Sequence, residues 1–206
     1  MQLEELPVPL VREKEQEKET EQEKEKEALR VVERDLRRDV KITADRRIEA
    51  FIMDRLTKES EFPILSEEKG IVARKEYIHP YRWILDPLDG SLNFSRSLPF
   101  SCISIAFWKE MEPLLGIVYD FIHDETFTGI VGKGAWLNGN PIRISDVKNL
   151  SSAVLCAGFP ADTDFETTTL MEFVKSIQTF KKVRLFGSAA LSLAYVSCGR
   201  ADFYLE

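Results

Sequence analysis

The chain has 206 residues, 44% of them hydrophobic and 31% charged, with a formal net charge of −7. That apolar share belongs to a globular protein rather than a disordered one, and the length suits one large domain or two small ones. The acidic balance argues against a surface built to grip nucleic acid or anionic lipid. It leaves room for a phosphorylated small molecule whose charge is met by a bound metal ion.

No apolar run approaches the roughly 18 residues that a membrane-spanning helix needs, so no membrane partner is expected. The opening MQLEEL lacks the basic and then apolar regions of a secretion signal. Cys102, Cys156 and Cys198 are odd in number and far apart, which fits neither a disulfide framework nor a zinc knuckle. They read as reduced, mostly buried thiols, and a cytoplasmic location is the expectation.

Residues 12–27 contain no apolar side chain and carry eight Glu against five Lys or Arg. In a helix Glu13, Glu17, Glu21 and Glu25 fall on one line, so like charges offset the few Glu–Lys pairs at three-residue spacing. Without an apolar stripe the segment has nothing to bury, and it reads as a solvated helix or arm. Ile48, Phe51, Ile52 and Leu56 predict an amphipathic helix over 45–58 with one face buried. A short apolar run, Phe62 to Leu65, then leads to Glu67–Glu68. Trp83–Leu85 reads as a buried strand that stops at Asp86–Pro87, because proline cannot continue a central ladder.

Over 99–145 the pattern is β, with three strand-like runs separated by KEMEP and HDE turns and followed by an Asn138–Gly139 hairpin turn. Residues 153–158 suggest another strand. Leu170, Phe173, Val174 and Ile177 mark a second amphipathic helix, 182–186 a strand, 189–197 a small-residue helix, and 201–205 a last strand. No repeat of solenoid period is present.

The sharpest chemical signal is DPLDGSLNF, residues 86–94. Two carboxylates three residues apart, stiffened by Pro87, converge with intervening carbonyls on a hard, oxygen-loving ion such as Mg²⁺. Gly90 permits a sharp turn, and the amides that follow offer N–H groups to phosphate oxygens if they open a helix. The competing reading is a plain turn, since Asp, Pro and Gly are common turn formers. The paired aspartates of haloacid-dehalogenase phosphatases are separated by one residue rather than two, so a nucleophilic aspartate is not supported.

The segment WILDPLDGSLNF resembles the metal-binding signature of the inositol monophosphatase family. The likeness extends in order through RDVKITADRRIE, LSEEKG, LPFSCISIAF, GKGAWLNGNPIRIS and FGSAALSLAYVSCGRADFYLE, covering about residues 36–206. It implies an α/β fold, an α+β layered sandwich like that of fructose-1,6-bisphosphatase and inositol monophosphatase. Helices would flank a largely antiparallel sheet, with a smaller mixed sheet in the second half. The expected divisions are a charged arm over 1–30, a metal-binding α+β half over 31–145 and a partial α/β half over 146–206.

The resemblance implies metal ligation by Glu67, Asp86, the Leu88 carbonyl and Asp89. Asp45 and Ser91 would position the attacking water, phosphate would meet the backbone of Gly90 and Ser91, and substrate hydroxyls would meet Ser188, Ala189 and Glu206. The implied reaction is Mg²⁺-dependent hydrolysis of a small phosphomonoester, with inositol monophosphate the family default, by a metal-activated water and without a phosphoenzyme. A homodimer is common in the family. Nucleotidase and fructose-1,6-bisphosphatase activities share the same metal core and stay open. Ser91 stands where the family usually has Thr, and Ser66 where it has Gly. The likeness stops at Glu206, before the W-D-x-A-A-G segment whose Asp ligates a second metal. The sequence therefore also carries the expectation of an incomplete C-terminal half, and of a chain that binds metal without turnover. His79 and His123 lie outside every motif and read as surface or packing residues.

Overall fold

The computed structural model describes residues 20–36, 39–72, 79–159 and 166–206. Of the charged segment, residues 20–27 fall within helix α1 (20–29) and are solvent-exposed, as a stretch without an apolar stripe requires; residues 12–19 lie outside the described residues. A hairpin of β1 (Val32–Leu36) and β2 (Asp39–Ile42) follows, then α2 (Thr43–Glu59).

The chain next builds β3 (Ile64–Ser66), β4 (Gly70–Val72), β5 (Tyr81–Asp89), the short helix α3 (Ser91–Ser95) and the meander β6 (Cys102–Lys109), β7 (Glu112–Asp120), β8 (Glu125–Ile130), β9 (Gly134–Leu137) and β10 (Asn140–Pro141). These strands form one sheet in the order β10-β9-β8-β7-β6-β5-β3-β4. Neighbours are antiparallel except β3 and β5, which run parallel. The β9–β10 turn has Asn138 at φ 48° and Gly139 at φ 78°, the paired positive values that an Asn-Gly hairpin supplies.

A second, three-stranded sheet is ordered β12-β11-β13, from β11 (Val154–Ala157), α4 (Thr167–Ile177), β12 (Lys182–Arg184), α5 (Ala189–Ser197) and β13 (Phe203–Leu205). Both pairings are parallel, so among the described residues this sheet is parallel rather than mixed. The layered α+β architecture is as expected.

Two further expectations change. The strand predicted to stop at Asp86 continues as β5 to Asp89. Its register with β6 advances residue by residue from Tyr81 opposite Lys109 to Asp86 opposite Ser104, breaks, and resumes with Asp89 opposite Cys102. Pro87 sits in that break, where no ladder bond is asked of it. The helix over 45–58 forms with Ile48, Ile52 and Leu56 packed against the core as expected, but Phe51 does not join them and the most buried positions are others. Ala44, Asp45, Glu49 and Met53 are its buried residues, whereas Phe51 is 63% exposed with the Arg55 guanidinium 5.6 Å from its ring centroid. The inward face carries carboxylates at i, i+4 spacing, which a search for apolar periodicity passes over.

Met53 of α2 packs on Ile64 and Leu85, with Ile105 beside them. Leu191 and Ala194 of α5 pack on Cys102 and Phe127, with Val118 beside them. Ile105 is paired with Ile117, the neighbour of Val118, and successive strand residues face opposite sides. Helices α2 and α5 therefore cover opposite faces of the large sheet, and α5 also touches β13 of the small one. Among the described residues, no helix is long and apolar enough to cross a membrane.

Asn93 joins the sheet-bound turn to the approach to α5. Its Nδ2 donates to Phe100 O at 2.8 Å and to Phe186 O at 2.6 Å, and the residue is buried. Removing the donor leaves two part-buried carbonyls without it, so Asn93→Ala is expected to lower unfolding free energy by about 1–3 kcal/mol. Urea denaturation followed by fluorescence measures this; a loss under about 0.5 kcal/mol would show that the two carbonyls find other donors.

Candidate active site

Strand β5 ends, and α3 begins, at Gly90. Its φ of 89° lies in the left-handed region, and a Cβ there would meet Phe100 O at 2.9 Å and Gly187 O at 3.2 Å. Both conditions demand glycine. The turn they permit places Asp86, Leu88, Asp89 and Ser91 along the wall of a cavity of about 320 Å³. Glu67, one residue past β3, reaches the same cavity because β3 lies parallel beside β5, with Ser66 opposite Leu85. Ser188 and Ala189 arrive from the start of α5, and Glu206 from the end of β13. Asp45 is not among the lining residues but touches one, its Oδ1 lying 2.8 Å from Ser91 Oγ. The structure thus brings all the sequence-predicted site residues to one place, from both sheets.

The carboxylates are held by different donors. Asp45 sits in the first turn of α2, where its Oδ2 accepts the Ile42 amide at 2.6 Å; Ile42 has no side-chain acceptor of its own to cap the helix. Burial, only partly offset by these bonds, raises the Asp45 pKa above the usual carboxylate value. The Ser91 hydroxyl is also 2.9 Å from Leu88 O, and with a single proton it donates to one acceptor at a time.

Asp89 Oδ2 accepts from Ser188 Oγ and from the Ala190 amide, both at 2.7 Å. The Ser188 hydroxyl therefore engages a carboxylate as well as capping α5 through Leu191 N. Burial still raises the Asp89 pKa. Asp86 is pushed up to about 8, first by burial, then by the charges of Glu67 and Asp89, while the Leu88 amide partly compensates. Glu67 accepts a hydrogen bond from Lys41.

Behind the site, the wholly buried Glu49 accepts from Ser66 Oγ at 2.5 Å and pairs with Lys69 at 3.0 Å. Ser66 so ties α2 to the strand that presents Glu67. Among the described residues no three His, Cys, Asp or Glu side chains converge into a ready-made metal cage; Glu67 Oε1 accepts from Lys41, and Asp89 Oδ2 from Ser188 and the Ala190 amide. The oxygen-only donor set, and the burial and mutual repulsion that together raise Asp86, nonetheless suit a hard divalent cation.

The sequence left several neighbours of the site unassigned. Tyr204 lines the cavity and donates to Glu206; two residues before Glu206, it shares that residue's side of β13. Gly158 closes against the same carboxylate, for a Cβ there would meet Glu206 Oε1 at 3.0 Å. Asn93 lay within the quoted motif but had no role assigned. Lys41 carried no local signal, since its partner is 26 residues away. His79 packs at a tilt against Phe62, with ring centroids 4.9 Å apart, and the half-exposed His123 pairs with Asp120 at 2.7 Å. The three cysteines form no disulfide, and Cys102 and Cys156 are buried.

Comparison with known proteins identifies relatives of the whole described fold. The chain is 38% identical over 174 residues to inositol monophosphatase 3 of Solanum lycopersicum, an alignment covering 82% of this chain and 64% of that protein. It is 36% identical over 170 residues to the Nus factor SuhB of Escherichia coli strain K12, covering 82% and 63%. Among solved structures it matches the extragenic suppressor protein suhB from Bartonella henselae with a TM-score of 0.77 and 35% identity, over 85% of this chain and 69% of that one. The chain thus spans less than two thirds of the length of these curated relatives. The family model described as the inositol monophosphatase family matches residues 8–206, and the chain belongs to that family.

Proposed function

We propose that the cavity hydrolyses small phosphomonoesters with Mg²⁺ as cofactor, and that inositol monophosphate is its first candidate substrate. The observation that carries this reading is the 2.8 Å contact of buried Asp45 with Ser91, set beside a wall of Glu67, Asp86, Asp89 and the Leu88 residue. A hydroxyl fixed by a buried carboxylate is suited to orient a water and to draw off its proton. Magnesium, held by Glu67, Asp86, the Leu88 carbonyl and Asp89, would act as the Lewis acid that activates water and neutralises the leaving alkoxide.

The remaining roles fall to the chain's own groups. Gly90 and Ser91 open α3 ahead of its first intrahelical bond, Phe94 N–H to Gly90 O, so their amides are placed to receive phosphate oxygens. Ser188 and the Ala190 amide orient Asp89. Glu206, steadied by Tyr204, and Ala189 would receive the hydroxyl-bearing part of the substrate. Three unpaired thiols support a reducing, cytoplasmic setting. Relatives named Nus factor also belong to the family, but the net charge of −7 favours a small-molecule partner over nucleic acid.

Phosphate release from inositol monophosphate, fructose 1,6-bisphosphate and 3′-phosphoadenosine 5′-phosphate, each with Mg²⁺ or EDTA, tests the reading and ranks the substrates. Asp45→Asn is expected to cut kcat by about 10²–10⁴ while leaving metal binding in place, as loss of a general base does. Equal rates in EDTA, or an unchanged Asp45→Asn enzyme, would refute it. Metal binding without any release would leave a binding-only protein.

The raised Asp86 pKa gives a second prediction. Folding takes up a proton that the unfolded carboxyl, with its ordinary value of 3.8, does not hold over the same range. The stabilisation is complete below that value and is lost as pH rises through about 8. In EDTA the Tm should therefore fall between pH 5 and 8.5, less so for Asp86→Asn, while Mg²⁺ affinity should rise over the same interval because the proton must leave. A Tm slope identical in both proteins would contradict the assignment.

A further inference from the structure

Lys41, the penultimate residue of β2, ends between two carboxylates. Its Nζ bonds Glu67 Oε1 and lies 2.7 Å from Glu68 Oε1. The lysine and Glu68 side chains are largely buried, at 21% and 19% exposed, so that ion pair is less screened than a surface one, whereas Glu67 is 45% exposed. Of these two carboxylates Glu67 lines the cavity and Glu68 does not. The Lys41 charge also reaches Asp45.

We propose that Lys41 is a resident competitor for Glu67: its ammonium holds that carboxylate in the metal-free protein and withdraws onto Glu68 when a divalent cation binds. The inference rests on Glu67 being a metal ligand. The competition follows from geometry, because an oxygen that accepts a hydrogen bond from an ammonium must share or surrender that bond to ligate a cation. Two positive charges at one carboxylate also repel. Glu68 supplies what makes release inexpensive, a second acceptor already in contact, so that Lys41 need not be left buried without a partner. In the metal-free state the same lysine offsets the repulsion among Asp45, Glu67 and Glu68 and keeps Glu67 at the cavity's edge. Lys41 is thus a positioning residue that sets metal affinity from outside the ligand set.

Titration with MnCl₂, read calorimetrically and by the electron paramagnetic resonance of free Mn²⁺, tests this without any turnover. Lys41→Met should bind Mn²⁺ about tenfold more tightly, the scale of one charge-assisted hydrogen bond no longer in competition. Lys41→Arg should stay near the parent protein. Glu68→Gln should weaken binding, because Lys41 then settles on Glu67. Glu68→Gln should weaken it much less in the Lys41→Met background, and this non-additivity separates competition from the mere loss of a nearby negative charge. Lys41→Gln serves if Lys41→Met fails to fold by circular dichroism. Equal or weaker binding in the Lys41 variants overturns the competitor role and leaves the metal site standing. Absence of Mn²⁺ binding in the parent protein and every variant overturns both.

Discussion

Repulsion among carboxylates drawn into one partly desolvated cleft governs how this molecule is put together. Glu67, Asp86, Asp89 and Glu206 line a single cavity, with Asp45 one hydrogen bond behind it. Carboxylates at such quarters are stable only if each is supplied with donors or counter-charge, and the surrounding fold reads as that supply. A helix terminus and its capping serine serve Asp89, a backbone amide and a hydroxyl serve Asp45, and a lysine serves Glu67. Asp86 is served least, by the Leu88 amide alone among these donors, and its raised pKa records the shortfall. The same imbalance that costs stability in the metal-free protein would favour a divalent cation.

The elements that bring these groups together come from separate stretches of chain. Pro87 and the register break turn β5 into a platform from which both Asp86 and Asp89 reach the cavity. Gly90 lets the backbone approach the Phe100 and Gly187 carbonyls, and Asn93 locks that approach. The Glu49–Ser66 bond fixes the strand carrying Glu67 to the helix carrying Asp45. Serine at position 66 therefore supplies a specific anchor, a hydrogen bond that the buried Glu49 acceptor makes favourable.

Much of this was legible in the residues alone, and the rest fails for identifiable reasons. Strands β6 to β8 and the Asn138–Gly139 turn carry period-two alternation and local turn chemistry, so neighbours in sequence suffice to see them. The DPLDGS run discloses its ligand chemistry because the residues lie within one turn. Helix α2 was visible as a helix, with Ile48, Ile52 and Leu56 turned inward, but its buried Asp45 and Glu49 were not, because hydrophobic periodicity assigns carboxylates to solvent. The end of β5 was misplaced because the rule against proline in a central strand holds for a regular ladder, and here the ladder is interrupted. The β1–β2 hairpin and β4 were not anticipated; β4 spans three residues, too few for a period. Lys41 and Tyr204 escaped notice as site residues because their meaning comes from carboxylates that only the folded chain brings within reach.

The central claim is that acidic side chains from β3, β5 and their flanking turns gather on a divalent cation. Anomalous diffraction from crystals grown in excess MnCl₂ measures this most directly. A manganese peak within bonding distance of Glu67, Asp86 and the Leu88 carbonyl, with the Lys41 ammonium displaced toward Glu68, is the expected result. A map with no peak in the cavity, and with Glu67 still on Lys41, would contradict it.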